Sequence, residues 1–236
     1  SSAVSVTGVG FKPDMVWYKD RTEAHAFGIY DSSRGIKRWL KGSSTQSENN
    51  NAGASLIDAS LTSFDSAGFT VANMSSDPIG NKNGNYFRSW LWKANGGTTS
   101  SNGDGSITST VQANTTAGFS IVQWTGSGAN ATIGHGLGVA PKFIIVKNRS
   151  EGQAWGVYHG ATEIVTDTET DYMQLNAASG WADDATYWND TKPTSSVFSV
   201  GSSNNTNKST NSMVAYCFSQ IQGFSHFGTY WGSDDS

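Results

Sequence analysis

Apolar and polar positions alternate along this chain in short bursts of about five or six residues. Each burst is closed by glycine, asparagine, serine or proline. At 15–19, Met-Val-Trp-Tyr-Lys puts Val16 and Tyr18 on one side and Met15, Trp17 and Lys19 on the other, the two-residue period of a strand. The same pattern predicts strands at 3–6, 26–31, 36–40, 69–73, 86–93, 106–113, 119–124, 131–135, 142–148, 154–159, 172–175, 197–201, 213–219 and 225–230. Residues 43–54 and 75–84 read as exposed loops, and 56–64 as a helical turn through Leu56, Leu61 and Phe64. No apolar stripe of period 3.6 is sustained, so helices are short at most. Short strands at close spacing predict an all-β fold of the sandwich or jelly-roll type.

The pattern also repeats. Residues 136–158, GLGVAPKFIIVKNRSEGQAWGVY, echo residues 8–30, GVGFKPDMVWYKDRTEAHAFGIY. Pro141, Lys147, Arg149, Glu151 and Tyr158 match Pro13, Lys19, Arg21, Glu23 and Tyr30 at a constant offset of 128 residues. One register held through so many residue types points to internal duplication. Residues 68–71 resemble 197–200, and 85–92 line up with 211–218. A third motif, GFSIVQWTG at 118–126, returns as GFSHFGTY at 223–230, 105 positions later. The expected organisation is a first repeat, incomplete at its N-terminal side, at 1–95, a linker at 96–105 rich in Gly, Ser, Thr and Asn, and a second repeat at 106–236. The chain is expected to be a piece of a longer tandem array.

Composition narrows the function classes. Charged residues make up 14% and aromatic ones 12%, with nine Trp and a net charge of −4. This suits a neutral, polar-surfaced sandwich of the kind found in extracellular and virion proteins. No Lys/Arg cluster is present, which argues against a nucleic-acid partner. No apolar run is long enough to span a membrane, and the first residues do not read as a signal peptide. Cys217, alone in the chain, lies in an apolar strand and is expected to be buried. Asn-x-Ser/Thr triplets at Asn73, Asn114, Asn130, Asn148, Asn189, Asn204 and Asn207 are within reach of composition alone.

Two groups of residues could carry chemistry. The repeated Lys147, Arg149 and Glu151 read either as a cationic pocket for an acidic glycan or as a lock on a strand turn; their presence in both copies favours the lock. Tyr30 and Tyr158 read as core residues. Divergent positions are better binding candidates. Asp31 in one copy stands where His159 stands in the other. The stretch 180–193, GWADDATYWNDTKP, sets Trp181, Tyr187 and Trp188 beside Asp183, Asp184, Asn189 and Asp190. Sugars stack on aromatic faces while polar groups take their hydroxyls, so these residues with His159 form the expected glycan platform. The same carboxylates offer hard oxygens to Ca2+; otherwise no cofactor or metal is expected. Catalysis has little support: the four His lack metal spacing, no Gly-x-Ser-x-Gly occurs, and 167–171, DTETD, reads as an exposed turn rather than a glycosidase carboxylate pair.

The run from Gly118 to Gly160, GFSIVQWTGSGANATIGHGLGVAPKFIIVKNRSEGQAWGVYHG, resembles a repeat of unknown function found in tail-fibre-like and other virion structural proteins of marine bacteriophages, often cyanophages. The stretch SSNGDGSITSTVQANTTAGFSIV resembles the connector before that repeat, and AYCFSQIQGFSHFGTYWG the end of one repeat running into another. Such repeats are compared with concanavalin A-like lectin/glucanase sandwiches. The resemblance therefore implies a non-enzymatic virion or extracellular module, structural or adhesive, that binds bacterial surface polysaccharide. Its partners would be other virion proteins and further copies of itself. The alternatives are a ligand-free decoration or fibre module and a glycan-degrading tailspike enzyme.

Overall fold

The computed structural model describes residues 3–36, 38–48, 61–72, 81–160 and 171–230. Its strands in chain order are β1 (Val4–Val6), β2 (Met15–Asp20), β3 (Gly28–Asp31), β4 (Leu40–Lys41), β5 (Leu61–Asp65), β6 (Gly68–Val71), β7 (Phe87–Trp92), β8 (Ser100–Asn102), β9 (Ser109–Asn114), β10 (Phe119–Thr125), β11 (Ala131–Gly134), β12 (Phe143–Asn148), β13 (Gly156–His159), β14 (Asp171–Gln174), β15 (Ala182–Asp183), β16 (Val197–Val200) and β17 (Ser212–Phe218). Two four-residue helices, α1 (Ala185–Trp188) and α2 (Asn204–Asn207), complete the regular structure described. The fold is all-β, and every pairing between named strands is antiparallel.

The strands form four sheets, ordered β1-β6-β5, β4-β3-β2-β7, β15-β14-β13-β12-β17-β10-β9-β8 and β11-β16. Three cores join these sheets in series. Val16, Tyr18 and Tyr30 of the four-stranded sheet pack against Leu61, Phe69 and Val71 of the three-stranded one. The opposite face of the four-stranded sheet, Met15, Ile29 and Leu40, packs against Phe119, Ile121, Ile145, Val214 and Tyr216 of the eight-stranded sheet. The far face of that sheet, including Val122, Trp124, Ile144, Met213 and Ala215, meets Ile133, Phe198 and Val200 of the two-stranded sheet together with Tyr187 and Trp188 of α1. The central strands are thus buried on both faces. This explains their near-continuous apolar runs, such as Ile144-Ile145-Val146 in β12.

Strand registers in the two halves correspond. Val16 pairs with Tyr30 in the β2–β3 hairpin, and Ile144 with Tyr158 in the β12–β13 hairpin. On the other side of each hairpin's first strand, Met15 faces Trp92 and Phe143 faces Phe218. Val6 pairs with Phe69, and Ile133 with Phe198. The 8–30 and 136–158 segments therefore share strand, turn and strand at one offset.

Four expectations change. Residues 225–230 are not a strand: Ile221 bridges Ser225 and the chain is irregular from there to Tyr230. Within 56–64, the described part, from Leu61, belongs to β5, because alternation with Phe69 and Val71 across the sheet outweighs a helical turn. The strand expected at 36–40 shrinks to Leu40–Lys41, and Ile36 is exposed. The stretch 96–105 is anchored, since β8 pairs with β9 through Ser100–Val111 and Asn102–Ser109. Backbone hydrogen bonding supplies there what an apolar side chain does not. Cys217 is buried as expected, and burial pushes its thiol up to about 12. The expected loop residues 49–54 and 75–80, and the 167–170 part of the acidic turn, lie outside the described residues. No described helix is long and apolar enough to cross a membrane.

Candidate functional site

The aromatic stretch at 180–193 does not assemble into a platform. Asp184 caps α1, its carboxylate accepting from the Thr186 backbone N–H at 2.9 Å. Asn189 ends the helix in the left-handed region, at φ 55° and ψ 39°, and its N–H donates to the Ala185 carbonyl. A single turn closed at both ends directs Tyr187 and Trp188 inward. Tyr187 stacks on Tyr172 with ring centroids 3.6 Å apart, and Trp188 meets the edge of Tyr158 at 5.9 Å. Both are buried and present no face to a sugar. Trp181 alone of the three rings is exposed, at 61%. Asp183 lies in β15 opposite Asp171, Asp190 is exposed, and Asn189 bonds to Asn130. His159 belongs to the other side of the sheet, packed on Phe143 and Phe227, and burial lowers its pKa. The residues expected to bind together are dispersed, because capping and core packing took the aromatic positions.

The Lys-x-Arg-x-Glu cluster is structural, with a different pairing from the one the spacing suggests. Lys147 Nζ donates to the Thr45 carbonyl at 2.9 Å and to the Gln153 carbonyl. Burial holds its pKa down to about 8. Lys19 makes the corresponding bond to the His25 carbonyl. The side chains of Asp20 and Asn148 each accept from two turn N–H groups, of Thr22 and Glu23 and of Ser150 and Glu151. Glu23 pairs with Lys82 and Glu151 with Lys208. Arg149 turns away from Glu151. Its Nε and Nη2 donate to Glu48 at 2.8 and 3.0 Å, and Nη1 donates to Gln123. Glu48 also receives Arg34 at 3.0 Å. Buried Arg34 further donates to Asp31, to Tyr216 and to the Ile29 carbonyl, while the Tyr216 hydroxyl donates to Asp31 at 2.6 Å. Burial pushes the Glu48 carboxyl up, but the Arg149 hydrogen bond and the Arg34 and Arg149 charges outweigh it and hold it at about 2. Asp31 is thus a structural anchor of this network, which stitches the 31–48 segment to the β12–β13 hairpin.

An exposed aromatic groove lies where sequence reading placed none. Trp17 and Lys19 of β2, Phe27 just before β3, and Trp90 and Trp92 of β7 line a groove of about 410 Å3. Trp17 stacks on Phe27 at 5.0 Å and leans on Trp92 at 6.3 Å, while Trp90 is 51% exposed. Gly42 lets the Phe27 ring in: a Cβ there would fall 1.7 Å from Phe27 Cε2. The matching positions of the second half, Trp155, Tyr216 and Phe218, are buried. Trp155 Nε1 there donates to the Lys41 carbonyl. Alternation marks Trp90 and Trp92 as sharing a face. Which copy of that face stays open follows only from how the halves pack.

Asp20, Glu23 and His25 bring potential ligand atoms within 4.8 Å of one another, a grouping separate from the 183–190 carboxylates. Lys82 already neutralises Glu23, holding its carboxyl at about 2 with help from His25, and Asn85 bonds to Asp20. This set therefore reads as part of the turn lock.

No curated protein and no solved structure gives a significant match to the chain. A family model matches it from residue 1 to residue 236, so the chain belongs to the family described as a domain of unknown function, DUF7483.

Proposed function

We propose that this chain is a non-enzymatic adhesion and structural module of a phage virion. It would be built of two tandem lectin-like β-sandwich repeats and would bind bacterial surface glycan through the groove of Trp17, Phe27, Trp90 and Trp92. The groove carries the reading: it offers exposed rings for the apolar face of a sugar, with Lys19 beside them. The tandem arrangement draws support from the matching registers of β2–β3 with β12–β13 and of β2–β7 with β12–β17. The virion setting and the jelly-roll comparison rest on the sequence resemblance given above. The non-enzymatic reading is supported by carboxylates committed to structure. Asp14 accepts from Ser32 and from the Ala94 and Gly96 N–H groups, and Asp31 and Glu48 are held by arginines.

The test is an array of bacterial polysaccharides probed with the full chain, followed by titration of any hit. Trp90→Ala should weaken binding at least about tenfold, about 1.4 kcal/mol, with an unchanged circular dichroism spectrum. Trp181→Ala should leave binding intact. Wild-type binding that survives Trp90→Ala would remove the groove from the site. Shortening of the polysaccharide on incubation would favour the tailspike enzyme. A second reading, a ligand-free structural module, is favoured by the burial of the equivalent second-half face under the first half, and an array without hits would select it.

A further inference from the structure

The groove that carries the proposed function also restricts what it can hold. Trp17 and Trp90 face each other across β2 and β7, and with Lys19, Phe27 and Trp92 they line it. An indole offers one N–H donor and no acceptor, an ammonium offers three donors and no acceptor, and a phenyl ring offers neither. The lining side chains therefore donate hydrogen bonds and accept none. No described residue takes the indole N–H of Trp17, Trp90 or Trp92. Lys19 is half-buried, and its Nζ donates to the His25 carbonyl and to no other described group, which leaves its remaining donors for a ligand.

The matching lysine of the second half is engaged by the protein itself. Lys147 is fully buried and donates to the Thr45 and Gln153 carbonyls. Opposite it in the β12–β17 ladder lies Val214, whereas opposite Lys19 in the β2–β7 ladder lies Arg88. Like charges directly opposed across a ladder are destabilising. Arg88 bonds to the Phe87 carbonyl, and neither cation has a carboxylate partner among the described residues. The carboxylates of the adjoining turn are already held: Asp20 by Thr22, Glu23 and Asn85, and Glu23 by Lys82 and His25. The opposed cations thus occur in the half whose aromatic face is open, and an anion beside them relieves their mutual repulsion.

We propose that the groove takes an acidic glycan, one whose sugar rings carry a carboxylate. The apolar face of such a ring stacks on Trp17 and Trp90, and its carboxylate accepts from Lys19 with the Arg88 charge nearby. A carboxylate accepts without donating, so it matches a wall that donates without accepting. The hydroxyls of a neutral hexose both donate and accept, and against this wall their donors find no partner. The inference rests on the groove reading of the proposed function and adds to it the class of sugar.

The test titrates the full chain with oligomers of galacturonate, of mannuronate and of hyaluronate, each beside its carboxyl-reduced, neutral counterpart. At least one carboxylated probe should bind about tenfold or more tighter than its reduced form, the size of one charge-assisted hydrogen bond. Lys19→Met keeps the length of the side chain and removes its charge. It should erase the preference, leaving the two forms within about twofold of each other, while Lys19→Arg should retain it. A variant that merely loosened the turn would weaken both forms alike and leave their ratio unchanged. Carboxylated probes that bind no tighter than their reduced forms overturn the proposal, and so does a preference that survives Lys19→Met. Binding of the reduced probes that Trp90→Ala abolishes and Lys19→Met leaves intact would keep the groove as a glycan site and remove its acidic specificity. Binding of no probe that responds to Trp90→Ala would remove both.

Discussion

Trp188 is 2% exposed, and its indole N–H has no hydrogen-bond partner among the described residues. Its contribution is therefore packing. Trp188→Ala should cost about 3–5 kcal/mol in urea unfolding, the range for large-to-small changes in a core. Trp188→Phe should cost clearly less, because it keeps a ring against Tyr158 and sacrifices no hydrogen bond. A cost below about 1 kcal/mol for the alanine variant would contradict the burial. The local sequence around Trp188 offered aromatic rings and carboxylates in the proportion that sugar sites use. It could not say which way the rings point. That was decided by two caps, Asp184 and Asn189, which close one helical turn and set Tyr187 and Trp188 against β13 and β14.

At the scale of elements, most strands were legible because alternation and turn residues are local signals. β2 shows it best: Val16 and Tyr18 enter one core and Met15 another, as the two-residue period requires. The 224–230 segment shows the limit, since strand propensity makes no strand without an edge to pair with. The Lys-x-Arg-x-Glu turn was legible as a lock, and Lys147 and Asn148 do close it. The partner of Arg149 was not, because Glu48 lies 101 residues away in the chain. Glu48 joins the segment after β4 to the β12–β13 hairpin. Glu48→Gln should destabilise by about 3–5 kcal/mol, since it leaves buried Arg34 and Arg149 without their shared carboxylate. The pH dependence has a defined sign. The folded-state value near 2 lies below the ordinary 4.5, so the contribution is complete above about 4.5 and is lost as pH falls toward 2. Its size is on the order of 2 kcal/mol once screening at the open Arg38 side is allowed for. The gap in urea midpoint between wild type and Glu48→Gln should narrow, without closing, as pH falls from about 5 toward 2. A gap that stays constant over that range would dismiss the charge network.

For the whole molecule, the middle core decides behaviour. Met15, Ile29 and Leu40 from one half and Ile145, Val214 and Tyr216 from the other are all fully buried in it. Neither half can lose its fold without exposing the other's apolar face. Heating should give a single transition in which tryptophan fluorescence and far-ultraviolet circular dichroism coincide. Two resolved transitions would instead mean that the stretches 1–95 and 106–236 melt as independent units. The sequence by itself determined the all-β class, most strand positions, the burial of Cys217 and the shared strand–turn–strand register. These follow from side-chain period and turn chemistry within a few residues of one another. Only the tertiary structure decided which of two equivalent aromatic faces stays open, which carboxylate meets Arg149, and that Tyr187 and Trp188 are core. Those outcomes depend on residues about a hundred positions apart arriving at the same place, and no local period encodes that meeting.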